Sequence, residues 1–213
     1  SLREAIDAAS ANSGADTIAF NIPGPGPHTI RPLTALPVIT DPVVIDGYTQ
    51  PGSSPNTLAE GHNALLMIEL DGSLPADVFW VHGLNITAGN STIQGLVINR
   101  FFGSGIWIEG SGGNVVQGNY IGTDVTGTTG LGNRGYWGNA GVFMASSENL
   151  IGGTATADRN VISGNILGVN VQPGTNNVIQ GNYVGTDASG TRAIPNVEVG
   201  INIYGTQEGY ESI

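Results

Sequence analysis

Cysteine is absent from this chain, and so is lysine. The first absence removes disulfide staples, thiolate metal sites and cysteine nucleophiles, and leaves the compartment open. The second removes the base that a lysine-dependent polysaccharide lyase would need. Six arginines remain (Arg3, Arg31, Arg100, Arg134, Arg159 and Arg192), none in a recognisable catalytic motif. Charge is sparse: 11% of residues carry one, and 17 acids against those six arginines give a formal net charge of −11. Such a surface repels phosphate backbones, which argues against nucleic acid as a partner, and it tolerates cations such as calcium. No apolar run approaches the ~18 residues of a membrane span, so no membrane insertion is expected. His28, His62 and His82 are scattered without metal-ligand spacing, and no nucleophile-elbow motif is present. Structural or loop roles are expected for all three.

What is present is glycine, at 34 of 213 residues, with 11 prolines and a 39% hydrophobic content dispersed in short Val- and Ile-rich runs. That much apolar surface can bury a core, and the spacing suits one elongated repeat domain. SLREAIDAASANSG (residues 1–14) predicts a short amphipathic helix: Ser1 and Glu4 form a capping-box pattern, and Leu2, Ala5, Ile6 and Ala9 share a face. DTIAFNI, HTIRP, PVVIDG and LLMIELDG follow as short β-branched segments divided by Pro, Gly and Asn, and read as strands.

From residue 83 a repeat takes over. GIWIEG at 105, GVFMAS at 141, GVNVQP at 168 and GINIYG at 200 share a Gly-apolar-X-apolar pattern, with starts 36, 27 and 32 residues apart. Between them lie STIQG at 91, NVVQG at 114, NLIGG at 149, NVISG at 160 and NNVIQG at 176. Repeats of this length mark a solenoid, whose units cannot bury an apolar face alone. Alternation every second residue, with glycine every four to six, excludes helical repeats. The prediction is an all-β parallel β-helix of about three short strands per coil. Asn114, Asn119, Asn177 and Asn182 are candidates for corner ladders of side-chain amides. One domain spans 1–213: the cap helix at 1–14, irregular first coils at 15–82, and regular repeats from 83. The last repeat, GINIYGTQEGYESI, stops in mid-coil without an evident cap. Continuation of the chain, a covering partner, or end-to-end stacking of copies into a homo-oligomer or fibre would each protect that edge.

The opening SLREAI followed by GADTIAF, the VIDGYTQPG stretch at 44–52 and the NYIGTDVTGT repeats together resemble bacterial cell-surface proteins with a right-handed parallel β-helix of the pectin-lyase-like type. The family motif is usually CSLREAI; this chain begins at Ser1, without the cysteine. The resemblance covers essentially the whole chain. It implies an extracellular or cell-surface location and an adhesin-like role, with a polysaccharide or a surface protein as partner. Polysaccharide lyases and hydrolases share the architecture, so the fold alone assigns no chemistry.

Three groups of residues could carry function. A glycoside hydrolase needs two carboxyls about 5 Å apart for retention, or roughly 6.5–9.5 Å for inversion. Asp46 and Asp71 are 25 residues apart, about one coil, so they are expected to stack, although both also suit turns ahead of glycine. Asp124 and Asp187 belong to a phrase written twice, NVVQGNYIGTDVTGT and NVIQGNYVGTDASGT, identical at 11 of 15 positions with an offset of 63. They are expected two coils apart on one edge, with Asp158 of the intervening coil near it. Each is a candidate calcium ligand with Thr123, Thr126 and carbonyls, set against a simple capped turn. The third group follows the first copy, where Arg134, Tyr136 and Trp137 form an inserted loop suited to a sugar ring or a protein partner. The leading expectation is a non-catalytic extracellular module for adhesion, carbohydrate contact or surface assembly. The alternatives are a polysaccharide hydrolase using Asp46 and Asp71, and a self-assembling fibre subunit.

Overall fold

The computed structural model describes residues 1–73, 80–135 and 138–204. Tyr136 and Trp137, and the segment from Gly205 onward, lie outside the described residues. Helix α1 (Leu2–Ala11) carries the expected capping box between Ser1 and Glu4 and buries Leu2, Ile6 and Ala9. The chain then winds through six coils. The first holds β1 (Asp16–Ala19) and β2 (His28–Ile30), and the second β3 (Val43–Asp46), β4 (Ile68–Asp71) and β5 (Leu84–Ile86). The third holds β6 (Thr92–Gln94), β7 (Leu96–Asn99) and β8 (Ile106–Ile108). The fourth holds β9 (Val115–Gln117), β10 (Tyr120–Ile121) and β11 (Ala140–Met144), and the fifth β12 (Leu150–Gly152), β13 (Val161–Ile162) and β14 (Leu167–Val171). The last holds β15 (Val178–Gln180), β16 (Tyr183–Val184) and β17 (Val199–Ile203).

Corresponding strands pair in parallel to form three sheets: A is β1-β3-β6-β9-β12-β15, B is β2-β4-β7-β10-β13-β16, and C is β5-β8-β11-β14-β17. This is the parallel β-helix that the alternation predicts. The four Gly-apolar-X-apolar segments are the last four strands of sheet C. STIQG, NVVQG, NLIGG and NNVIQG belong to sheet A, whereas NVISG at 160 falls in sheet B. Strands β1 to β4 already hold the register of the later coils.

The inward positions stack as apolar columns. Leu70, Ile98, Ile121 and Ile162 line sheet B at 0% exposure, and Ile86, Ile108 and Met144 do so in sheet C. The corners are held by asparagine. Asn114, Asn149 and Asn177 form one ladder, Asn119, Asn160 and Asn182 a second, and Asn133, Asn165 and Asn196 a third. In each ladder an Oδ1 accepts the backbone N–H of the asparagine one coil earlier, at 2.9–3.2 Å. A buried corner amide that would otherwise lack a partner is thereby satisfied. The glycines that open the first three of these sheet C motifs, Gly105, Gly141 and Gly168, are a packing requirement. A Cβ on Gly168 would stand 2.3 Å from Gly200 O and 2.7 Å from Asn196 Nδ2, a collision with backbone on the next coil.

One element has no counterpart in the repeat. Between β3 and β4 the chain leaves the solenoid as an arm closed by an antiparallel Ser54–Leu65 bridge. The arm reaches across the outer face of sheet B. Asn56 donates to Thr156 O in coil five at 2.8 Å, and Gly61 N–H donates to the Tyr183 hydroxyl in coil six at 2.8 Å. Ala64 and Leu66 of the arm, with Val97, Tyr120, Val161 and Ala188, build a second apolar cluster outside the main core.

Candidate functional site

The repeated phrase resolves into a structural unit. In each copy a sheet A strand is followed by a corner asparagine, a sheet B strand, and then a small hairpin closed by a Thr123–Gly130 or Thr186–Ala193 bridge. Asp124 Oδ1 accepts the Thr128 and Thr129 amides at 3.0 and 3.1 Å, and its Oδ2 accepts the Thr126 hydroxyl at 2.8 Å. Asp187 repeats the pattern, with Ser189 Oγ at 2.6 Å and the Thr191 and Arg192 amides at 3.3 Å. These bonds, led by the Ser189 hydroxyl, hold Asp187 below the usual carboxylate pKa. Both carboxylates therefore turn into their own loops. The hairpins are two coils apart, as expected, yet they touch: Ala188 N–H donates to Gly127 O at 2.8 Å, and Arg192 donates to Thr128 O. The fifth coil makes contact possible, because it turns the same corner with only Ser163 to Ile166. Asp158 does not approach this edge. It lies in a 3₁₀ turn (Thr156–Asp158) at the opposite corner, between sheets A and B, and accepts the Ala155 amide. Among the described residues, no three His, Asp or Glu side chains gather as a metal site would require.

Asp46 and Asp71 do not stack. Asp46 ends β3 in sheet A, level with Ala19 and Gln94, and its Oδ1 accepts the Tyr48 amide at 2.9 Å. Asp71 ends β4 in sheet B, level with Asn99. Their 25-residue separation spans part of one coil, because the arm lengthens that coil.

Asp71 instead organises the corner between sheets B and C. It is 1% exposed. Its Oδ2 accepts from Arg31 Nε at 2.7 Å, and its Oδ1 accepts from Arg100 Nε at 2.8 Å and the Ser73 amide at 2.9 Å. Burial alone would raise its pKa; the hydrogen bonds from Arg100, Ser73 and Arg31 outweigh that and bring it to about 2. Glu69, two residues earlier on the same outward face, accepts from Thr29 Oγ1 at 2.7 Å and Asn99 Nδ2 at 2.9 Å, with Arg100 Nη2 3.6 Å away. Arg31 spends only its Nε on Asp71, and half of its side chain is exposed. Two guanidinium groups are thus fixed by one buried carboxylate with edges left toward solvent.

Aromatic side chains continue this surface. Trp80 is 52% exposed and sits at φ +70°, a left-handed conformation that a bulky residue rarely adopts. Gly103 abuts Val81 and His82, which brings the corner after β7 against the segment carrying Trp80. On sheet C, the Trp107 and Phe143 rings stack at 3.7 Å and 10°, with His82 4.5 Å from Trp107 on the other side. The Ser104 amide donates to His82 Nδ1, and burial brings the His82 pKa down to about 4. Asn170 and Asn202 extend the same outward column as amides. Arg134, the one described member of the expected aromatic loop, is exposed, and its amide donates to Phe101 O at 2.8 Å. The structure therefore places Asp71 and Arg134 on one corner and separates both from Asp46. Sequence reasoning misses Arg31, Arg100 and Glu69 because they are far apart in the chain. The outward spacing of Glu69 and Asp71 in ELDG is the available signal.

No protein-family model matches the chain, and no curated protein is found similar to it.

Proposed function

We propose that this β-helix is a non-catalytic extracellular module that contacts carbohydrate at the sheet B–sheet C corner of coils one to four. One observation carries the reading. An exposed tryptophan and two carboxylate-anchored guanidinium groups lie in the turns between sheets B and C, next to the aromatic column of sheet C. Sugar rings present apolar C–H faces to aromatic side chains and hydroxyl oxygens to planar N–H donors, so this combination suits a glycan. The carboxylates serve as anchors: Asp71 has every near bond spent on Arg31, Arg100 and Ser73, and remains ionised far below neutral pH. A general acid or base needs a pKa near the working pH and a free oxygen for the proton. A glycan array probed with the labelled protein is expected to give hits that weaken at least tenfold in Trp80→Ala and persist in Asp46→Asn. An array silent for the native chain would sink the reading, as would cleavage of a polysaccharide that is lost in Asp46→Asn.

A further inference from the structure

Besides the Asn56 and Gly61 hydrogen bonds and the Ala64–Leu66 apolar contacts, two side chains fasten the arm between β3 and β4 to the solenoid. Arg159, in coil five, donates to Leu58 O, Ala59 O and Gly61 O at 3.3, 2.9 and 2.7 Å, and its guanidinium lies 4.5 Å from the Tyr183 ring centroid. His62, on the arm itself, packs edge-on against Tyr120 at 4.9 Å. Its Nε2 is 3.0 Å from Arg159 O. A carbonyl can only accept, so Nε2 carries the hydrogen and Nδ1 is a bare lone pair. That lone pair receives the Tyr120 hydroxyl at 3.0 Å and the Ala64 amide at 3.4 Å. The closed arm is therefore built around the neutral imidazole.

A second proton on Nδ1 meets the Ala64 N–H head-on, and it finds an acceptor only if the Tyr120 hydroxyl turns its lone pair toward the ring. The Tyr120 hydroxyl can rotate, but the Ala64 N–H is fixed in the backbone. The new charge would lie in the layer formed by Val97, Val161 and Leu66, beside the Arg159 cation. The hydroxyl that meets the ring is that of Tyr120, while the Tyr48 hydroxyl donates to Gly118 O and the Tyr183 hydroxyl accepts from Gly61 N–H. Asp124 and Asp158 act on Tyr120 and Tyr48, and Glu60 lies two residues away on the arm, but none of the three carboxylates bonds to the imidazole. Burial, with the Arg159 charge adding to it, lowers the His62 pKa from 6.5, while the hydrogen bond to Arg159 O works the other way.

From this geometry we infer that the arm is an acid-released clasp: protonation of His62 frees residues 54–66 and uncovers the apolar outer face of sheet B while the six coils stay wound. The face so exposed, Val97, Tyr120 and Val161, stands in one column with Glu69 and so adjoins the arginine corner. The sign follows from linkage. A histidine with a lowered pKa in the closed state contributes stability that is complete above the open-state value of 6.5. That contribution is lost as pH falls below 6.5, at up to about tenfold in the opening constant per pH unit, until the closed-state pKa is passed.

Hydrogen exchange of the native chain from about pH 7.5 to 4.5, corrected for intrinsic rates, tests this directly, with anilinonaphthalene sulfonate as probe of the uncovered face. Amides of 54–66 are expected to lose protection below pH 6.5 and the dye to bind, while amides of β7 and β11 remain protected. His62→Gln, which can donate and accept in the same place but cannot titrate, is expected to flatten the profile. Tyr120→Phe removes a donor to Nδ1 and is expected to move opening to higher pH. Three results would each overturn the proposal: an arm that stays protected throughout, an arm that opens only together with the coils, or an arm that opens identically in His62→Gln.

Discussion

Replacing Asn165 by leucine is expected to lower unfolding stability by about 3 kcal/mol or more, from unsatisfied buried polar groups. The residue is 0% exposed and stands in the middle of the third asparagine ladder. Its Oδ1 accepts from the Asn133 amide and Nδ2, both at 3.0 Å, and its Nδ2 donates to Ile121 O at 3.0 Å. Leucine has the same heavy-atom branching and leaves no cavity, while its bulkier methyl groups add an overpacking cost to the loss of the hydrogen bonds. The Asn133 N–H and the Asn133 amide group lose an acceptor, and Ile121 O loses a donor; a buried orphan of this kind costs about 1–3 kcal/mol. Denaturant melts of the two proteins measure the difference directly. A loss under about 1 kcal/mol would mean that the ladder is geometric decoration and that the apolar columns alone hold the corner. Asn165→Asp is the companion test. It keeps the acceptor for the Asn133 amide but brings no donor for Ile121 O, and it places a charge in a corner built from neutral amides.

The same ladder shows why the architecture is legible in the sequence. A corner asparagine must recur once per coil, and so must the glycine whose Cβ would strike the next turn. Both leave a mark that survives variation in loop length. Asn114, Asn119, Asn177 and Asn182 carry that mark, and their partners Asn149 and Asn160 complete the two columns. The ladder through Asn133, Asn165 and Asn196 is hidden because a hairpin precedes Asn133 and Asn196 but not Asn165, which blurs the spacing. NVISG at 160 resembles the sheet A units for a related reason. Asn160 heads the corner between sheets A and B, and a corner asparagine looks the same whichever corner it turns.

Contacts made by the arm have no such mark. The stretch PGSSPNTLAEGHNA between β3 and β4 carries no repeat pattern, and nothing in it shows that Gly61 will meet Tyr183, 122 residues away. A repeat announces neighbours at the repeat length and stays silent about an element running along the axis. The misplaced Asp46–Asp71 pair has this origin. Their separation matches the length of a coil, whereas the arm occupies most of it, and the two acids end strands of different sheets. In the GTD hairpins the outcome is the reverse. Asp124 and Asp187 draw their donors from residues two to five positions ahead, so the capped turn is contained in the local sequence.

Asp71→Asn is expected to reduce stability by about 2–3 kcal/mol, as the loss of one partner in a buried ion pair does when the other side is partly solvated. The substituted side chain would keep the shape of the carboxylate but could accept through one oxygen only. Arg31 and Arg100 cannot both be satisfied by it, and the Ser73 amide competes for the same atom. The pH dependence separates this from a general loss of packing. Asp71 has its pKa depressed to about 2, so its contribution is present above the unfolded carboxylate value near 3.8 and disappears as pH falls through that value toward 2. Native and Asp71→Asn proteins should therefore differ most near neutral pH and converge in strong acid, with the convergence confined to the window between about 4 and 2. An Arg100→Met, Asp71→Asn double variant tests the coupling. If Asp71 acts through the arginines, the double variant loses much less than the sum of the two single losses, since each substitution leaves the other group stranded only while that group is present. Additive losses would show that the carboxylate and the guanidinium stabilise the corner independently, and the glycan site would then lack its anchor.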